Sequence, residues 1–136
     1  MKISFSKILI ASAVALSGMA VSTAQAQVTI GISLSLTGPA SGIGIPVQNA
    51  IKLWPEVIGG EKVRIVLLDD ATDPGKGASN ARRFIAEDKV DLIVGPIASP
   101  VAAAIAEVAQ EAKVPQLGIS PVYLPAGRDA WTFRVA

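Results

Sequence analysis

No cysteine and no histidine occur in the 136 residues, and these two absences remove whole classes of chemistry. Without cysteine there is no disulfide and no thiol nucleophile, and without histidine neither the usual zinc sites nor Ser-His-Asp catalysis can be assembled. Charge is sparse as well: 12 basic residues stand against 11 acidic ones, a formal net charge of +1. That balance leaves no basic footprint for nucleic acid or for an anionic lipid surface. Any reaction would have to rest on carboxylates, lysine, tyrosine or serine. What the chain has in quantity is apolar side chains, 51% of the total.

Part of that apolar content sits at the start. Lys2 and Lys7 precede an uncharged run from Ile8 to Val21, which gives way to Ser22-Thr23-Ala24-Gln25-Ala26. This is the pattern of a secretory signal peptide, with small residues at Ala24 and Ala26 and cleavage expected after Ala26. The run is shorter than the roughly 20 residues that cross a bilayer, and Ser12, Ser17 and Gly18 dilute it. No stable membrane insertion is therefore expected after cleavage. Removing the two lysines leaves ten basic residues against eleven acidic, a formal charge of −1. No cysteine follows the cleavage point to carry a lipid anchor, so the expected location is the periplasm. The expected organisation is a signal peptide over 1–26 and a single domain from 27 to 136.

From Val28 the sequence alternates short β-branched runs with helical stretches, the order of βαβ units in a parallel sheet. Val28 to Leu36 reads as the first strand: Val28, Ile30, Ile32, Leu34 and Leu36 recur with period two, while Gly31, Ser33 and Ser35 are small enough to lie under a helix. After a loop over Thr37 to Gly42, the residues Val47, Ile51, Trp54 and Ile58 fall at helical spacing. Pro55 should break that helix, and Gly59-Gly60 should end the element. Val63 to Leu68 is a nearly unbroken apolar run, as in a strand covered on both faces. Asp73-Pro74 is a helix start, with Asp at the cap and Pro at the first helical position. The helix it opens would bury Ala78, Ala81, Phe84 and Ile85. Val90 to Val94, Gln116 to Ile119 and Trp131 to Val135 supply three more strands, and Ser99-Pro100 repeats the cap-then-Pro signal before Val101, Ile105, Val108 and Ala112. Right-handed crossovers then give an α/β, doubly wound parallel sheet of flavodoxin-like order 2-1-3-4-5.

In such sheets ligands bind beyond the carboxyl ends of the strands, where the strand order reverses. Here that point lies between the first and third strands, lined by Thr37 to Gly42, Gly95 to Ser99 and Ser120 to Leu124. None of the three loops contains a charged residue. They suit close backbone approach and hydrogen bonding rather than proton transfer. Ser99 stands out, because orphan N–H groups and the helix dipole favour an anion at a helix N-terminus; equally, its hydroxyl could simply cap its own helix. Asp69, Asp70 and Asp73 fall short of the six to eight oxygens that calcium takes, and Asp73 is explained as a cap. Gly118-Ile119-Ser120-Pro121-Val122 lacks the final Gly of a nucleophile elbow. Gly75-Lys76 has Asp70 where a phosphate loop needs Gly, and Gly42-Ile43-Gly44 lacks the third Gly of a dinucleotide fingerprint.

Val28-Thr29-Ile30-Gly31 with Leu36-Thr37-Gly38-Pro39, Asp69-Asp70-Ala71-Thr72-Asp73-Pro74, Asp88-Lys89-Val90-Asp91 with Gly95-Pro96, and Val114-Pro115 before Ile119-Ser120-Pro121 together resemble the leucine/isoleucine/valine-binding proteins. Phe133-Arg134 looks like the family's fifth strand. The resemblance spans the whole stretch from Val28 and implies the first part of lobe one of a two-lobed periplasmic binding protein, which closes on its ligand and delivers it to the membrane permease of an ABC importer. It also implies that Ser99 and the segment Val122 to Leu124 hold the ligand's carboxylate and amino groups. Leu124 stands where amino-acid binders often have Thr, which leaves room for an aromatic or other organic acid. With the loops above, the expected ligand-binding residues are Thr37, Ala98, Ser99, Ser120, Val122, Tyr123 and Leu124. No catalytic residue, metal or cofactor is expected, and the protein is read as a binding component rather than an enzyme. The alternative is an extracytoplasmic ligand-sensing module of the same fold.

Overall fold

The computed structural model describes residues 27–135; the expected signal peptide and its cleavage point lie outside them. Strand β1, Gln27–Leu34, is central because its alternation works on both faces: Ile30, Ile32 and Leu34 point one way, Gly31 and Ser33 the other. Strand β3, Glu61–Asp69, runs parallel beside it along its full length, from Gln27 opposite Lys62 to Leu34 opposite Asp69. On its other side lie β4, Leu92–Val94, then β5, Gln116–Gly118, and β6, Thr132–Arg134, all parallel. A two-residue strand β2, Val57–Ile58, pairs antiparallel with β3, so the order across the sheet is β2-β3-β1-β4-β5-β6. The five parallel strands keep the expected 2-1-3-4-5 order, and β2 adds one edge.

One face is covered by α2, Pro74–Arg83, and α3, Ser99–Ala112. Ala81, Phe84, Val90, Ile93, Val101, Ile105 and Val108 form its core, with Val66 and Leu68 of β3 beneath. Glycines set the spacing of this layer. The Phe84 ring lies where a side chain at Gly31 would stand, and Val101 of α3 closes on Gly77 of α2. The opposite face carries Ile30, Ile32, Leu34 and Val94, with Val63, Ile65 and Leu67 beside them, and takes Val47 and Ile51 from helix α1, Ser41–Ile51. The run Val63 to Leu68 is thus shared between both layers, as its unbroken apolar character requires.

Two elements differ from expectation. Helix α1 starts at Ser41, inside the expected loop, and ends at Ile51, four residues before Pro55. Trp54 and Ile58 are 40% and 51% exposed, so only Val47 and Ile51 of the expected face reach the core. Proline biases the residue before it away from helix, and the downstream Gly59 and Gly60 take φ of +62° and +90°. Two consecutive positive φ values make the tight hairpin turn that matches strand twist, so Val57-Ile58 folds back on β3. The second helix, in turn, loosens after Arg83 into one π turn, Phe84–Asp88, closed by Lys89 at φ 53°. That turn delivers Phe84 to full burial and leaves Ile85 half-buried.

Candidate functional site

The carboxyl ends of β1, β4 and β5 lie side by side, so the three uncharged loops converge at one end of the sheet, at the point where the chain switches from building leftward to building rightward. Ser99 occupies the first turn of α3, but Ala98, with extended ψ of 126°, is the capping residue and no side chain caps the helix. The cap expected from Ser99-Pro100 is therefore displaced by one residue. Freed from that duty, the Ser99 hydroxyl donates to the Pro121 carbonyl at 2.9 Å and joins α3 to the loop after β5. Among the described residues no acceptor takes the N–H of Ser99 or Val101, and Pro100 between them has none to offer.

The loop Ser120 to Leu124 is held by its carbonyls. Pro121 O accepts from Ser99, and Val122 O accepts from Arg134 Nη1 at 2.8 Å. Its own N–H groups at Val122, Tyr123 and Leu124 find no acceptor among the described residues. Val122 is buried, Leu124 half-buried, and Tyr123 is 90% exposed. Ser120 is buried and its hydroxyl has no hydrogen-bond partner among the described residues. Ala98 is half-buried against the α2/α3 core. Thr37 turns the other way: its hydroxyl donates to Asp69 Oδ2 at 2.5 Å, which commits its proton to the β3 side of the mouth. The structure thus brings Ser99 and the 120–124 loop into direct contact, with Thr37 one strand away.

Each acid of the Asp69-Asp70-Asp73 group is taken up locally. Asp69 accepts from the N–H groups of Leu36, Thr37 and Ala71 and from the Thr37 hydroxyl. Burial alone would push its carboxyl up, but the Thr37 hydroxyl and the three N–H donors outweigh that and hold it at about 2, below the ordinary 3.8. Asp70, fully buried, accepts from the Ser33 and Ser35 hydroxyls and from Thr72 N–H. Together the two carboxylates hold Ala71 and Thr72 in left-handed conformation, φ 51° and 63°, a region that costs non-glycine residues energy. Asp73 caps α2 through Lys76 N–H at 2.7 Å.

Four residues that hold the mouth together were not among the expected ligand-binding residues. Asp69 and Asp70 shape the mouth rather than a metal site, and the alternation of Ser33 and Ser35 opposite two acids was the available signal. Gln116, fully buried, donates to the carbonyls of Gly95 and Ala102 and accepts from the Thr132 hydroxyl, tying β4, α3 and β6 together; a glutamine inside an apolar strand run was its signal. Arg134 enters the sequence reading only as part of a strand resemblance, and its partner, twelve residues back across a loop, had no local signal. A cavity of about 340 Å³ lined by Glu107, Gln110, Glu111 and Arg128 sits toward the far end of α3. Its Arg128 is paired with Glu107 at 3.3 Å, and it takes no part in the mouth.

The switch point of a doubly wound parallel sheet is where proteins of this architecture hold ligands. Residues 27–136 match the periplasmic binding protein family, and the chain belongs to it. It is 34% identical over 131 residues to the Leu/Ile/Val-binding protein BraC3 of Rhizobium johnstonii, covering 83% of this chain and 35% of that protein. Among solved structures, an extracellular ligand-binding receptor from Rhodopseudomonas palustris HaA2 superposes with a TM-score of 0.78 at 37% identity, over 82% of this chain and 31% of the other. A solute binding protein of an ABC transporter from Rhodopseudomonas palustris BisB5, in complex with 3,4-dihydroxybenzoic acid, gives 0.73 at 30% identity, over 79% and 31%. The chain spans about a third of the length of these relatives.

Proposed function

We propose that this chain forms one wall of the ligand cleft in a periplasmic substrate-binding protein, which captures a branched-chain amino acid or related small organic acid for the permease of an ABC importer. The observation that carries this reading is that the backbone donors at Ser99 and Val101 and along Val122 to Leu124 find no acceptor among the described residues, in neighbouring loops that contain no charged residue. Backbone N–H groups at a helix N-terminus receive a carboxylate without a cationic partner. The relatives support both ligand classes, one being named for leucine, isoleucine and valine and another holding a dihydroxybenzoic acid. The Ser99 and Thr37 hydroxyls at this wall are both taken up by structural bonds, to the Pro121 carbonyl and to Asp69. No helix among the described residues is long and apolar enough to cross a membrane. A second reading, an extracytoplasmic ligand sensor, is favoured by the receptor description of the HaA2 protein.

The test is Ser99→Ala in this chain extended by the two further thirds found in its relatives. The substitution keeps the backbone N–H but removes the hydroxyl that holds Pro121 O, so calorimetry with leucine, valine and 4-hydroxybenzoate should show carboxylate affinity reduced by about 0.5 to 1.5 kcal/mol through loss of that loop bond. Unchanged affinity with a lower melting temperature would reduce Ser99 to a structural tie for Pro121. Recovery of the bound ligand unaltered separates capture from catalysis.

A further inference from the structure

Arg134 ends the last strand, opposite Gly118 in the register of β5 and β6, and is largely exposed. No carboxylate of the described residues forms an ion pair with it. Its one hydrogen bond among the described residues goes to a neutral acceptor, the Val122 carbonyl, in the middle of the candidate ligand segment. We propose that Arg134 is a positioning residue for ligand capture, which fixes the orientation of the Val122–Tyr123 peptide group and thereby aims the Tyr123 N–H into the mouth.

The proposal rests on the ligand reading above and follows from peptide geometry. In a trans peptide the carbonyl of one residue and the N–H of the next point in opposite directions. With Val122 O bonded to the Arg134 guanidinium, the Tyr123 N–H faces away from that side chain, and no acceptor among the described residues takes it up. The neighbouring peptide is fixed separately, because Ser99 holds Pro121 O. Two consecutive peptide planes are therefore set by side chains from two different elements. Nothing else among the described residues holds the second plane. Released by Arg134, it can rotate and present a carbonyl oxygen, which repels a carboxylate, where the N–H had stood. The guanidinium suits the task because it keeps its charge and its fixed fork of donors across the accessible pH range.

The experiment follows backbone amide resonances of the isotope-labelled chain, titrated with sodium benzoate and, as a neutral control, benzyl alcohol. In the unaltered chain, benzoate should shift the Ser99, Tyr123 and Leu124 amides at millimolar concentration, with no comparable response to the alcohol. Arg134→Met should displace the Val122 carbonyl and Tyr123 amide signals, leave those of Gln116 and Thr132 in place, and weaken the benzoate response about tenfold, the effect of one charge-assisted hydrogen bond. Arg134→Lys, which keeps a donor, should restore most of the response. Unmoved Val122 and Tyr123 signals in Arg134→Met overturn the proposal. If those signals move but benzoate shifts none of the three amides even in the unaltered chain, the positioning stands and the ligand reading falls. Should Arg134→Met not fold, the guanidinium protons of the unaltered chain decide: protection from exchange supports the bond to Val122, and free rotation refutes it.

Discussion

Asp69 shows how a single carboxylate can shape a loop. Three N–H groups and one hydroxyl converge on it, and the stretch Leu36-Thr37 and the left-handed Ala71 take their places from those bonds. Its folded pKa, about 2, lies below the ordinary 3.8. The charged form is thus bound more tightly by the folded state, and its contribution is fully present above about pH 4 and lost as pH falls toward 2. Solvent near this half-buried group screens the effect, so about 1 kcal/mol is expected. Urea unfolding of the chain at pH 5, 4, 3 and 2 should show this loss, and Asp69→Asn should lower stability at pH 5 while flattening the decline below pH 4. An equally steep decline in the variant would assign the acid sensitivity to other carboxylates.

At the scale of elements, the sharpest constraint is the meeting of β1 with the π turn after α2. A methyl group at position 31 would collide with the Phe84 ring, which is fully buried and packed on several sides. Gly31→Ala should therefore destabilise the chain by about 1 to 3 kcal/mol, the range for overpacking a tight core. Chemical denaturation measures it, and Phe84→Leu in the same chain should recover part of the loss by making room. That small residues at 31, 33 and 35 lie beneath a covering layer was legible from alternation alone, as were the parallel strands, because period-two and continuous apolar runs are set by burial. The end of α1 was not legible. Trp54 and Ile58 continue the helical spacing of Val47 and Ile51 by coincidence, and only the pairing of β2 with β3 reveals Gly59-Gly60 as a hairpin turn. At the mouth, the loops could be placed from strand order, since topology dictates where strands end. The partners of Ser99 and Arg134 could not, because hydrogen bonds across 22 and 12 residues leave no trace in local sequence.

Across the whole molecule, one row of side chains runs through five strands: Leu67, Ile32, Val94, Leu117 and Phe133 are register partners on the same face. Cover thins along that row, from a fully buried Ile32 to Phe133 at 56% exposure. In water a hydrogen bond contributes about 0.5 to 1.5 kcal/mol net, so three of them reach at best roughly the 4.1 kcal/mol of a millimolar complex. Titration of the chain with leucine, valine and simple aromatic acids should accordingly show no saturation in the micromolar range. A dissociation constant below about 10 µM would mean that one wall suffices and that no second lobe is needed for capture. The uncharged lining has a further consequence. None of the residues 37–42, 95–99 and 120–124 carries a carboxylate, an amine or an imidazole, and the nearest acid, Asp69, gives up its proton at about pH 2. Above about pH 4, where Asp69 is fully charged, environmental acidity therefore reaches this wall only through the ligand's own ionisation.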